Sequence, residues 1–259
     1  METFTLTRRE MALFLMALSG TCPKSPLVVL QDAWIRAHRE DMEQGKSFSV
    51  LLSTLLPQAF EKLVKGQKLT GFSLHDIVSL GNLIEYTNFS ITSMQNWVKR
   101  DFKAYLGTPK AGKKYSLDQM VMLFIIEDLK SSLDFESIRK LFEILFGRSE
   151  TPARPMIDPL KLYQSYSALF EELDENNDQL LDVPIHDGSL RNHDAFIEQR
   201  IMQKTENFVK SLEQLKTEER ETVRNVLIIA LISVQTAFFH SLSRRYWNAT
   251  LFLRHLQTM

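Results

Sequence analysis

Residues 86–116 constrain the fold more than any other part of this chain. They carry six basic residues and one acid, a net charge of +5, in a chain of 259 residues whose total is −1. The positive charge is therefore local, and the remainder sums to −6. It falls on a short turn, an amphipathic helix and a basic loop interrupted by Gly107, Pro109 and Gly112. A local basic patch on such a frame is typical of a nucleic-acid-binding protein.

The amphipathic helix separates its side chains cleanly. Its apolar side holds Met94, Trp97, Val98, Phe102 and Tyr105, and its polar side holds Gln95, Asn96, Lys99, Arg100 and Lys103. Amides and guanidinium groups read adenine and guanine edges in a major groove. A solvated face is the plain alternative, but such a face normally mixes both signs of charge. Here Asp101 is the only acid, which favours a binding face.

The flanking segments complete a pattern of helices around this one. Ser73 is placed to cap a preceding helix, and the hydroxyls of residues 92 and 93 are available at the start of the amphipathic helix. The basic loop, residues 110–115, suits a small hairpin or wing. Ser116 and Asp134 then begin two more helices. The order is helix, turn, helix, wing and two helices.

This order resembles the DNA-binding domain of the MerR family. Ser93-Met94-Gln95-Asn96-Trp97 stands where that family has its recognition helix, Lys113-Lys114-Tyr115-Ser116 at its wing, and Leu133-Asp134-Phe135-Glu136-Ser137-Ile138 at its last turn. The family's recognition-helix arginine is replaced by Gln95, and its wing arginine by lysine. The phrases ITSMQNWVKRD and PKAGKKYS are also similar to a Gram-positive bacterial family, the domain of unknown function numbered eighteen thirty-six. Both resemblances imply a transcriptional regulator.

The sequence therefore predicts an all-α protein containing a MerR-like winged helix-turn-helix. We expect an N-terminal helical segment at 1–70, the winged helix-turn-helix at 71–146 and a proline-rich linker at 147–159. A C-terminal helical bundle for dimerisation or effector binding follows at 160–259. There, residues 226–239 are apolar nearly all round and must be buried, in a bundle core, a dimer interface or a ligand pocket. These 14 residues are short of the ~20 that span a bilayer, so no membrane span is expected.

The same reading predicts no catalytic, metal or cofactor site. A single cysteine, Cys22, excludes a disulfide framework and a multi-cysteine metal site, and it suits a reducing cytoplasm. Residues 174–185 imitate a calcium loop but have Gln179 and Ile185 where an EF-hand needs glycine and glutamate. Two His-Asp pairs, at 186–187 and 193–194, are weak metal signals. We find no phosphate-binding glycine loop and no hydrolase motif.

The predicted function is sequence-specific binding of duplex DNA by a homodimer. Thr92, Ser93, Gln95 and Asn96 would lie nearest the base edges. Lys99, Arg100 and Lys103 would contact phosphates or guanine, and Lys110, Lys113, Lys114 and Tyr115 the flanking backbone. The alternative is a protein–protein interaction module without DNA binding, peripheral to a membrane through residues 226–239. That alternative expects acids from another segment, such as residues 171–178, to neutralise the basic patch.

Overall fold

The computed structural model describes residues 4–45, 58–65, 67–150, 154–174 and 193–257. Within these ranges the chain is helical, with isolated β-bridges and no strand, so the all-α prediction is confirmed. The helices are α1 (Arg8–Ser19), α2 (Pro26–Ala37), α3 (Arg39–Glu43), α4 (Gln58–Val64), α5 (Leu74–Gly81), α6 (Ile91–Asn96), α7 (Lys103–Leu106), α8 (Leu117–Leu129), α9 (Phe135–Phe146), α10 (Pro159–Leu173), α11 (His193–Lys210) and α12 (Thr217–Gln257).

The helix starts around the basic patch follow the predicted caps. Ser73 and Asp76 form a reciprocal capping box at α5, and Ser116 and Gln119 form another at α8. The Asp134 carboxylate accepts from a backbone N–H at the start of α9. At α6 the capping hydroxyl belongs to Ser90, one residue before the helix, rather than to residues 92 or 93.

The predicted continuous helix over residues 94–105 is wrong, because it widens into a π-helical turn and is interrupted before α7. After α6 comes a π-helical turn at Trp97–Asp101, closed by the Phe102 N–H donating to the Trp97 carbonyl at 2.9 Å. Phe102 then leaves helical geometry, at φ −126° and ψ 17°, before α7 begins. The wider turn lets the Phe102 ring pack against the rings of Phe135 and Phe142 of α9, so core packing overrides helical continuity.

The core centres on α8, which is buried along its length from Gln119 to Leu129. Helices α10 and α12 pack against α8, and α1 packs against α10. The three sequence segments that meet here, before residue 70, around the basic patch and after residue 159, therefore share one hydrophobic core.

A buried ion pair ties these segments together. The Arg8 Nε donates to Asp128 Oδ1 at 3.0 Å, and the Tyr166 hydroxyl donates to Asp128 Oδ2 at 2.7 Å. Burial, with the neighbouring Asp128 charge, raises the pKa of Tyr166 well above its ordinary value, so its hydroxyl stays a donor. Removing one partner of such a pair costs about 3–5 kcal/mol, because the other charge stays buried.

Helix α12 has two segments in different surroundings. Its proximal segment, residues 217–238, packs on α8, α10 and α11 and buries side chains such as Leu227 and Leu231. Its distal segment, residues 239–254, exposes large side chains that include Tyr246, Trp247 and Phe252. By length and composition Thr217–Arg254 is apolar enough to cross a membrane, although 39% of its most apolar stretch is buried inside the protein. The core helix of a soluble protein passes the same test.

Candidate nucleic-acid interface

The side chains of α6 and the π-helical turn divide as the sequence predicted. Met94, Trp97 and Val98 are buried. On the other side Thr92, Gln95, Asn96, Lys99 and Arg100 are exposed, as is Lys103 at the start of α7, and Ser93 is half-buried. Because the apolar side is anchored in the core, this polar stripe is held at the surface in a fixed orientation.

Asp101 neutralises one positive charge in the stripe, that of Arg100. Its carboxylate accepts from Arg100 Nε at 2.8 Å, and this hydrogen bond raises the pKa of Arg100. The Arg100 side chain is 74% exposed, so the pair is a surface one that solvent screens. The net positive charge of the surface therefore rests on its lysines.

The basic loop forms a small hairpin, as predicted. Ala111 and Lys114 exchange backbone hydrogen bonds of 2.9 and 3.1 Å around Gly112, whose φ of +67° suits a tight turn. A Cβ on Gly71 would lie 2.7 Å from the Cβ of Ala111, so only glycine there allows the hairpin to approach so closely. Lys110, Lys113 and Lys114 are exposed at the hairpin.

Tyr115 anchors the hairpin to the protein. Its main chain exchanges hydrogen bonds of 2.8 and 2.9 Å with that of Phe72, and its half-buried ring packs against the core. Burial raises the pKa of Tyr115 above its ordinary value. Of the predicted hairpin contacts to DNA, Tyr115 therefore has only part of its ring facing solvent.

The buried side chain of Gln119 fixes the hairpin relative to α7. Its amide nitrogen donates to the carbonyls of Leu106 and Thr108, both at 2.7 Å. Its amide oxygen accepts from the backbone N–H groups of Lys110 and Ser116, at 3.2 and 2.9 Å. The sequence predicted the helix start at Ser116, but not the bonds of the Gln119 amide to Leu106, Thr108 and Lys110, which join the two basic elements.

The described carboxylates leave the lysines of this surface unpaired. In the part of the chain that the structure describes, Lys99, Lys103, Lys110, Lys113 and Lys114 form no ion pair. The acids expected to neutralise them under the alternative function lie elsewhere: Glu171 binds Arg9 and Glu172 binds Lys204. Residues 175–178 of that acidic segment lie outside the described ranges.

The weak metal signals gain no support from the described residues. Among them, no group of three or more His, Cys, Asp or Glu side chains is placed to hold a metal ion. Most of the calcium-like segment, and the first His-Asp pair, lie outside the described ranges; Asp174 is described and is buried. For the second pair, the structure describes the backbone at 193–194 and not the side chains.

Comparison with known proteins places this surface inside a family domain. Residues 72–166 match the family described as "Domain of unknown function (DUF1836)", which includes α5, α6, the hairpin and α8. The chain is also 32% identical over 240 residues to "Uncharacterized protein YkrK" of Bacillus subtilis (strain 168). That alignment covers 93% of this chain and 94% of the relative. No solved structure matches the chain significantly. The chain therefore belongs to the same family as YkrK, and its residues 72–166 form a DUF1836 domain.

Proposed function

We propose that this protein is a transcriptional regulator that binds duplex DNA sequence-specifically through a MerR-like winged helix-turn-helix. Helix α5, the turn at residues 82–90 and α6 would be the helix-turn-helix, and the hairpin would be the wing. The observation that carries the proposal is the exposed stripe of amides and unpaired lysines beside the basic hairpin, which Gln119 holds in place. Major-groove recognition needs donors and acceptors presented on a rigid element.

Each residue of the stripe has a proposed role. The exposed amides of Gln95 and Asn96, with Thr92 and Ser93 beside them, lie nearest the base edges. Lys99, Arg100 and Lys103 contact phosphates or guanine. The hairpin lysines and Tyr115 contact the flanking backbone. The first group determines sequence preference and the others set affinity and register.

Duplex binding on a genomic fragment library, measured at several salt concentrations, tests this proposal. Each neutralised phosphate releases about 0.9 counterion equivalents, so affinity should fall steeply with salt. Lys113→Ala should weaken binding to all sequences alike and reduce the salt slope by about 1. Gln95→Ala should relax sequence preference, at about 1–3 kcal/mol per lost bidentate contact.

The matched control is Lys216→Ala, which removes an exposed lysine at the start of α12, outside the basic surface. It should leave both affinity and salt slope unchanged. Absence of salt-sensitive duplex binding by the wild type would refute the proposal. Equal losses from Lys113→Ala and Lys216→Ala would show that the surface has no special role.

We also propose that the regulator is a homodimer, joined through the distal segment of α12. The sequence allows residues 226–239 to be a bundle core, a dimer interface or a ligand pocket, and most of their apolar side chains are covered within one subunit. The exposed aromatic side chains come later in the sequence, in the distal segment: Tyr246 is 71% exposed, Trp247 61% and Phe252 66%. Exposed aromatic side chains are typical hot spots of interfaces. A dimer would present two reading helices to half-sites about 34–36 Å apart or a multiple of it.

The distal segment also favours a second candidate, an interaction module at a membrane surface. Arg244, Arg245 and Arg254 surround its aromatic side chains, and this segment contains no acid. Aromatic and basic side chains together suit an anionic lipid interface. Light scattering with and without DNA, and sedimentation with anionic vesicles, separate the two. A dimer mass lost in Trp247→Ala supports the first candidate, whereas vesicle binding by a protein that remains monomeric supports the second.

A further inference from the structure

A cavity of about 150 Å³ lies where the turn before α6, the C-terminal end of α8 and the helix α12 meet. A buried water needs only about 10–15 Å³ of such space, so the cavity has room for the oxygens of a phosphate or carboxylate group. The side chains that matter for its chemistry are Arg8, Asn88, Glu127, Lys130, His240 and Arg244.

The carboxylates in the cavity wall are already occupied. Asp128 accepts from Arg8 and Tyr166. Glu127 accepts from the Asn88 backbone N–H at 3.2 Å, and its other oxygen lies 2.7 Å from Lys130 Nζ. Since both acids are paired, they leave no free negative charge for a cation.

The unpaired groups in the wall are basic or hydrogen-bond donors. His240 and Arg244 lie one turn apart on α12, and both are exposed. With the rest of the described chain, neither forms an ion pair or a hydrogen bond. A guanidinium presents several donors in a fixed plane, which suits a phosphate or carboxylate. The unpaired charge in the cavity wall is therefore positive. The cavity is open to solvent at the exposed His240 and Arg244 of α12.

The cavity wall is also connected to the helix-turn-helix. Tyr86, which lines it, has φ +63°, a left-handed conformation that a tyrosine rarely adopts, and its ring packs on Phe238 of α12 at 5.0 Å. On the other side, Lys130 Nζ lies 5.4 Å from the centre of the Trp97 ring. Trp97 opens the π-helical turn that carries Lys99 and Arg100. A ligand here would therefore contact the elements that position the basic surface.

We propose that this cavity binds a small anion bearing a phosphate or carboxylate group, held by Arg244 and His240 beside the Glu127–Lys130 pair, and that the bound anion fixes α12 against the turn before α6. Anion binding stands on the cavity alone. Its consequence for DNA binding, through Trp97 and the turn, rests on the proposed function.

Thermal unfolding of the full-length protein in increasing inorganic phosphate or succinate, with chloride balancing the ionic strength, tests the binding. A specific site gives a saturating rise in Tm, as mass action requires. Arg244→Gln should weaken the apparent affinity at least about tenfold, the cost of losing one charge-assisted contact. Arg254→Gln, on the same helix but ten residues beyond Arg244 and away from the cavity wall, should keep the wild-type response.

Comparing the variants also controls for the general effect of kosmotropic anions, which stabilise any folded protein. That effect would raise the Tm of wild type and Arg244→Gln equally, and such an outcome overturns the proposal. So does the absence of a rise with either anion in the wild type. A response to phosphate alone identifies a phosphate ligand, and a response to succinate alone a carboxylate ligand.

A second readout needs no DNA. In a Trp34→Phe, Trp247→Phe background, anion binding should change the emission of Trp97 beside Lys130, and Arg244→Gln should abolish the change. The duplex affinity of the wild-type protein is then measured with and without the anion. If the emission responds while DNA does not bind, the proposed function fails and the anion site stands. If DNA binds while neither anion changes Tm or emission, the site fails and the function stands.

Discussion

The proximal and distal segments of α12 are built from similar apolar residues but have opposite surroundings. Leu231 in the proximal segment is fully buried, whereas Leu253 in the distal segment is 57% exposed. The proximal segment lies against α8, α10 and α11. Past residue 242, every described side chain of the distal segment is exposed.

The difference shows that an apolar helix surface predicts burial but does not identify the element that buries it. Burial of the proximal segment comes from neighbours that lie far away in the sequence. Of the residues that the structure describes, none covers the distal segment past residue 242, which is why we propose a partner there. Matched substitutions in the two segments measure how differently they contribute to stability.

The largest effect is expected from shortening the two leucines. Leu231→Ala should lower the free energy of unfolding by about 2–5 kcal/mol, because it leaves a cavity in the core. Leu253→Ala should change the stability of one subunit by less than about 0.5 kcal/mol, since its side chain contacts mostly water. Urea unfolding at a low protein concentration, where any dimer dissociates, makes the measurement. Similar losses at both sites would mean that the distal segment folds back onto the protein.

A smaller effect should locate the boundary between the segments. The half-buried Phe238 packs on Tyr86, while its neighbour Phe239 is 50% exposed. We expect Phe238→Ala to cost about 1–2 kcal/mol, part of the value for a fully buried phenylalanine, and Phe239→Ala under about 0.5 kcal/mol. The same urea titration compares them. A larger loss from Phe239→Ala than from Phe238→Ala would move the boundary further along the helix.

The smallest effect concerns a single hydroxyl that joins α12 to α8. Ser131 Oγ lies 2.6 Å from the Asp128 carbonyl and 2.7 Å from the Ser233 carbonyl of the proximal segment. Ser131→Ala should therefore cost about 1 kcal/mol, the net value of an ordinary hydrogen bond. Thr250→Ala removes a hydroxyl that bonds only within the distal segment, to Tyr246, and should have almost no effect. Calorimetry resolves differences of this size in Tm. A wild-type Tm in both variants would contradict the expectation.

What the sequence predicted correctly depends on neighbours along the chain. The caps at Ser73 and Ser116 follow from local hydrogen bonding, and the exposed stripe around Gln95 and Asn96 follows from helical periodicity. The hairpin follows from its glycine and the charges beside it. These features need only a few consecutive residues to be recognised.

What it did not predict depends on contacts between distant residues. Arg8 and Asp128 are 120 positions apart, and neither residue indicates its partner. The break at Phe102 arises because its ring fits between rings of α9, an advantage that periodicity cannot register. The cavity beside α12 likewise exists only where three separate segments meet.

The length of α12 makes it a lever. At about 1.5 Å per residue, the distal segment extends roughly 24 Å beyond Phe238, which packs on Tyr86. A tilt of about 10° at that fulcrum would carry the tip through about 4 Å, close to the rise of three helical residues. A motion too slight to disturb the packing of Leu231 would thus be amplified at the exposed side chains of Trp247 and Phe252. The position of a partner bound to these side chains would change with it.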